Sequence, residues 1–195
     1  MKYLIVTFVF LVVSLSYAVE DDVVKNLRDK IILNVELVNT HKNSILEKTL
    51  IDNTADLEMF KNGGLKNIYY FDDKQIMYQE TNLGKKVELP SSIIYKNFYN
   101  LPVIKQEKIF IGELIPFKSR VYYYIGIKNS SEFTLLLFEL DIKTDTNYLL
   151  LNYKDEVLFN NGFKQDDVKL YLKEEKNIFK FKFFPNHKIY RFILK

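Results

Sequence analysis

A chain of 195 residues with 28 basic and 25 acidic side chains, a net charge of +3 and no cysteine excludes several classes at once. The near balance of charge argues against a nucleic-acid face, which needs basic residues clustered in a strongly basic domain. The lack of cysteine excludes disulfides, thiolate metal sites, a lipid-bearing cysteine anchor and a cysteine nucleophile, so the fold is held by its core alone.

Met1-Lys2 forms a short basic start, Tyr3 to Val13 is apolar apart from Thr7, and Ser16 and Ala18 stand where a signal peptidase reads small residues. The pattern predicts a secretory signal peptide over residues 1–18, cleaved after Ala18. The apolar stretch falls short of the about 20 residues that a bilayer-spanning helix requires. Without Lys2, the basic residues exceed the 25 acidic ones by two, so the mature chain stays near neutrality. Residues 19–195 are expected to form a single β-rich domain. Two small sandwiches, about 19–104 and 105–195, are the alternative, although no linker-like composition marks the break.

Asp21 to Lys30 suits a helix or a strand. From Ile31, the alternation Ile31, Leu33, Val35, Leu37 against Asn34 and Glu36 has the period of a half-buried strand. A turn at Asn39 to Asn43 then leads into a returning strand over Ser44 to Ile51, where Ser44 and Glu47 also carry the spacing of a helix capping box. Asp56 to Lys61, followed by Gly63-Gly64, predicts a short helix ended by glycine. Strands are expected at Leu65 to Phe71 and Gln75 to Glu80, flanking Asp72-Asp73. Lys85 to Leu89 and Ile93 to Tyr99 are short and bordered by Pro90 and Pro102, which favours edges and connections. Lys108 to Ile115 is a further strand in which Gly112 marks a bulge.

The centre of the sequence is Val121 to Leu140. Two apolar runs, Val121 to Ile127 and Phe133 to Leu140, are separated by the polar Lys128 to Glu132. In each run apolar side chains fall on both faces of the pleat, which predicts a strand pair central in a sheet covered on both sides. Tyr148 to Tyr153, Val157 to Phe159, Val168 to Leu172, Ile178 to Phe184 and Ile189 to Leu194 extend the series of strands. Many short strands without regular strand–helix alternation predict an all-β antiparallel sandwich or sandwich-like barrel with at most one or two short helices.

Catalytic and metal-binding constellations are not found. His41 and His187 sit in predicted turns, far apart and without companion ligands. The pairs Asp21-Asp22, Asp72-Asp73, Asp166-Asp167 and Glu174-Glu175 read as solvated turn charge, because adjacent strand residues point to opposite faces. Lys143 to Asn147 lacks the alternating oxygen ligands of a calcium loop, no G-x-S-x-G or phosphate-cradling glycine motif occurs, and Asn129-Ser-Ser131 is one glycosylation triplet in an asparagine-rich chain. The aromatic runs contribute a weak candidate binding surface: Tyr69, Tyr70, Tyr122 and Tyr124, whose flat amphipathic rings suit a sugar or peptide. An AT-rich coding bias also enriches tyrosine, so core packing competes with this reading.

The expectation is therefore an exported, non-enzymatic binding or interaction module of the cell envelope, periplasmic or secreted, with no cofactor, no metal and a partner the sequence does not identify. A small outer-membrane β-barrel is the competing reading. A lipocalin-like carrier and a hydrolase follow behind it.

Overall fold

A computed structural model describes residues 22–74, 76–83, 89, 93–94, 109–128, 132–142, 147–174, 178–182 and 189–194. The predicted signal peptide, the Asn129-Ser-Ser131 triplet, His187, Glu175 and most of Lys85 to Leu89, Ile93 to Tyr99 and Lys143 to Asn147 lie outside these residues. Two antiparallel sheets with few helices make up the fold, the all-β, sandwich-like arrangement expected from the strand pattern.

The N-terminal segment differs from its strand expectation. Helix α1 runs from Asp22 to Thr40, and Leu27, Ile31, Asn34 and Val38 form its buried stripe. Those positions recur at helical spacing, and the period of two read from Ile31 to Leu37 is broken by the burial itself: Leu33 is 61% exposed and Asn34 is fully buried. The expected return strand over Ser44 to Ile51 is likewise helical, with α2 at Lys42–Leu46 and a 3₁₀ turn at Leu50–Asp52. Helix α3, Thr54–Asn62, bears out the short helix predicted over Asp56 to Lys61. Asn53 caps it, its side-chain oxygen accepting from the backbone N–H groups of Ala55 and Asp56. Gly63 then allows a close approach. A Cβ there would stand 2.3 Å from the Asn34 side-chain oxygen, so glycine lets α1 press against the α3–β1 turn.

The first sheet comprises β1 (Leu65–Phe71), β2 (Met77–Asn82), β3 (Ile109–Ile111), β4 (Ile115–Phe117), β5 (Arg120–Lys128) and β6 (Phe133–Leu140). Its order is β2-β1-β6-β5-β3, with β4 also paired to β5. The predicted central pair is β5 and β6, in continuous register from Val121↔Leu140 to Lys128↔Phe133. The predicted strand Lys108 to Ile115 is divided after Ile111 into β3 and β4.

The second sheet comprises β7 (Tyr148–Leu151), β8 (Val157–Asn161), β9 (Ile178–Lys182) and β10 (Ile189–Leu194), in the order β8-β7-β10-β9. Val168 to Leu172, expected as a strand, lies in helix α4, Gln165–Glu174. Asp166 and Asp167 fall in its first turn and Lys173 in its last, the charge order that a helix dipole favours. Among the described strands both sheets are open. No described helix is long and apolar enough to cross a membrane.

The core follows the two faces of the first sheet. One face carries Ile68, Tyr70, Tyr123, Ile125, Leu136 and Phe138, packed with α1, α3 and the β7 residues Tyr148 and Leu150. The second sheet and the helices thus share one apolar cluster. The other face carries Tyr69, Phe71, Phe110, Tyr122, Tyr124, Leu135 and Leu137. Leu89 and Ile94, from the connection between β2 and β3, lie against it.

Candidate functional site

The second face differs in composition from the first. Alternation along β1 puts Asn67, Tyr69 and Phe71 on it, and along β5 it puts Tyr122, Tyr124 and Gly126 there. Register arranges these into rows across the sheet. Asn82, Asn67, Leu137 and Tyr124 form one row, and Glu80, Tyr69, Leu135, Gly126 and Phe110 form the next. Gly126 is required in its row. A Cβ at that position would fall 2.0 Å from the Phe110 ring, which lies over the bare backbone.

Polar atoms are unevenly satisfied here. The Asn67 amide nitrogen donates to Glu80 Oε1 at 2.8 Å and to Asn82 Oδ1 at 2.6 Å, while its oxygen accepts nothing. The hydroxyls of Tyr69 and Tyr124 also have no hydrogen-bond partner among the described residues. All three residues are essentially fully buried, and the two tyrosine rings meet edge to face with centroids 6.5 Å apart. Buried polar groups are ordinarily paired, and each unpaired one costs about 1–3 kcal/mol. Three such atoms of the described residues lie on this face, whereas Asn34 Oδ1 and Thr134 Oγ1 lie toward the helices and Glu139 Oε2 is met by Lys66.

Burial raises the Tyr69 pKa far above the ordinary phenol value, and the nearby Glu80 charge raises it further. Burial does the same at Tyr124, with Tyr69 adding to it. Tyr122 is raised mainly by burial and next by the Glu139 carboxylate, whereas Arg120 opposes the shift through its charge and a hydrogen bond. Arg120 is itself paired to Glu139 at 2.6 Å, and Lys66 reaches the other oxygen of that carboxylate at 3.0 Å.

Of the four tyrosines singled out from the sequence, the structure brings Tyr69, Tyr122 and Tyr124 onto one face. Tyr70 lies on the opposite face, beside Tyr78 and beneath the Lys48 ammonium, because neighbouring strand residues point apart. The missed residue is Asn67. An asparagine ahead of an aromatic run carries no sequence signal for burial. The acidic pairs serve local structure: Asp72 accepts from the Ile76 backbone in a turn, and Asp166-Asp167 opens α4. His41 Nδ1 lies 3.3 Å from Asp56 Oδ2, and its ring meets the edge of Phe60, at the junction of α2 and α3. Among the described residues no cluster of histidine and carboxylate side chains could hold a metal.

The buried phenols make stability depend on alkalinity. Tyr70 and Tyr148 are each pushed up to about 12 by burial, and Tyr69, Tyr123 and Tyr124 beyond that. In the unfolded chain these groups ionise near 10. The folded state therefore holds protons that the unfolded state has lost, so this contribution is complete below about pH 10 and disappears as pH rises toward 12 and above. Thermal melts are expected to show a midpoint independent of pH up to about pH 9 and a steep fall above it. Tyrosinate absorbance should appear together with unfolding. Free ionisation of all tyrosines in a still-folded chain contradicts the burial described here.

No protein-family model matches the chain, and no curated protein matches it. Among solved structures it is similar to the ligand-binding domain of the Campylobacter jejuni chemoreceptor Tlp3, crystallised in complex with L-norvaline. The identity is 12%, over 88% of this chain and 89% of that one, with a TM-score of 0.34. A likeness of that degree assigns neither a site nor a ligand.

Proposed function

We propose that residues 19–195 form a single extracytoplasmic binding module that holds a small amphipathic molecule on the second face of the first sheet and performs no chemistry on it. The observation that carries this reading is the coincidence of three buried, unpartnered polar groups, Asn67, Tyr69 and Tyr124, with a cluster of apolar and aromatic side chains bordered by Glu80. Ligand sites have that composition: predominantly apolar and aromatic walls with a few polar groups that fix orientation. The leader-like pattern of residues 1–18 supports export, with the periplasm or the cell exterior as the destination. The apolar cluster shared by both sheets supports one unit.

The test compares residues 19–195 with their Tyr124→Phe variant by thermal melting against a library of small amphipathic molecules. Removing a hydroxyl that has no partner is expected to leave the unliganded midpoint unchanged or to raise it, while stabilisation by a ligand is lost. A hydroxyl with a purely structural role gives the reverse, a lower midpoint without ligand. That result, or a library in which nothing raises the wild-type midpoint, overturns the reading.

A further inference from the structure

We propose that Asn67 is the specificity-determining acceptor of this site and that the head group it takes is an ammonium. The inference rests on the binding reading above and adds the chemistry of the ligand.

The Asn67 amide has two N–H donors, and both are committed, to Glu80 and to Asn82. Rotating the amide would set its oxygen against two acceptor oxygens, so the orientation is fixed by its neighbours. What remains is a buried carbonyl oxygen with no partner. A carbonyl oxygen can only accept, so a ligand that satisfies it must bring a donor. A hydroxyl, an amide N–H and an ammonium all qualify at this point.

Charge selects among them. Glu80 stands beside both Asn67 and Tyr69, and its negative charge is felt at the Tyr69 phenol. Arg120, beside Tyr122, is already paired with Glu139, and Lys66 reaches the same carboxylate. A carboxylate head group would enter against the Glu80 charge; an ammonium would gain from it. The faces of Tyr69 and Tyr124 add the attraction of aromatic rings for a desolvated cation. The structure thus supplies an acceptor, an anion and aromatic rings together, and that combination suits an organic amine with an apolar body.

Three probes that share one apolar body separate the possibilities: n-hexylammonium, hexan-1-ol and hexanoate, each titrated against residues 19–195 by thermal melting and calorimetry. Hexylammonium is expected to bind most tightly, hexanol about tenfold more weakly and hexanoate not measurably. Asn67→Leu should remove the advantage of the amine over the alcohol. Glu80→Gln keeps an acceptor for the Asn67 amide, and should weaken the amine about tenfold while leaving the alcohol unchanged. The second variant serves where the first does not fold. Equal binding of all three probes, tighter binding of hexanoate, or no binding of hexylammonium overturns the amine inference. In each case the wider library decides the binding reading separately, because a ligand of another head group would still raise the midpoint in a Tyr124-dependent way.

Discussion

Replacing Leu136 by aspartate leaves a chain that does not fold. Leu136 is fully buried at the centre of β6, flanked by Ile68 of β1 on one side and Ile125 of β5 on the other. Its side chain belongs to the cluster shared by the helices and the second sheet. Aspartate there loses the burial of a leucine, about 2–5 kcal/mol, and adds an ionised carboxylate without a partner, which costs several kcal/mol more even after its pKa rises. A domain has only about 5–15 kcal/mol to lose. Circular dichroism and a denaturant titration of residues 19–195 should show no cooperative transition. A cooperative, β-rich Leu136→Asp chain would show that the central pair is not doubly covered.

The second large effect is expected at Asn34→Ala. The Asn34 amide donates to the Gly63 carbonyl at 2.9 Å and to the Tyr123 hydroxyl at 2.7 Å, tying α1 both to the α3–β1 turn and to the middle of β5. Alanine removes both bonds inside the core, at about 1–3 kcal/mol for each group that loses its donor, so a total loss of about 2–6 kcal/mol is expected in urea denaturation. Combining it with Tyr123→Phe removes the hydroxyl that had accepted from Asn34, and the double variant should lose less than the sum of the singles by more than about 0.5 kcal/mol. A loss below about 0.5 kcal/mol for Asn34→Ala alone contradicts the role of this clamp.

The same asparagine explains where the sequence was misleading. Periodicity identified the strands whose two faces are both apolar, because β5 and β6 leave little else for Val121 to Leu140 to be. It failed from Ile31 to Val38, where alternating apolar residues compete with a helical stripe that passes through Asn34. Only the partner decides between them, and Tyr123 is 89 positions away in sequence. Val168 to Leu172 failed for a local reason: five residues alternate, but the acidic pair before them and the lysine after them belong to a helix. The site was half legible. Tyrosine runs drew attention to Tyr69, Tyr122 and Tyr124, and strand alternation alone would have set Tyr70 apart. Asn67 could not be found, because its importance lies in which of its atoms remain unpaired, a property of its neighbours Glu80 and Asn82.

Register also shifts within β1. Leu65 is opposite Phe138 and Asn67 is opposite Leu137, so Lys66 is an extra residue in that strand, held by its ion pair to Glu139 and by the Leu83 N–H on its carbonyl. Leu65 points toward the helices and Asn67 away from them, as two directly successive residues would. Lys66 is therefore supernumerary to the alternation: a lineage could discard it and every later side chain of β1 would keep its face. Loss of one residue between Ile68 and Tyr70 has the opposite result, exchanging inner and outer faces for part of the strand. Within one seven-residue strand, the alternation of faces survives a deletion at a single position and is reversed by one just beyond it.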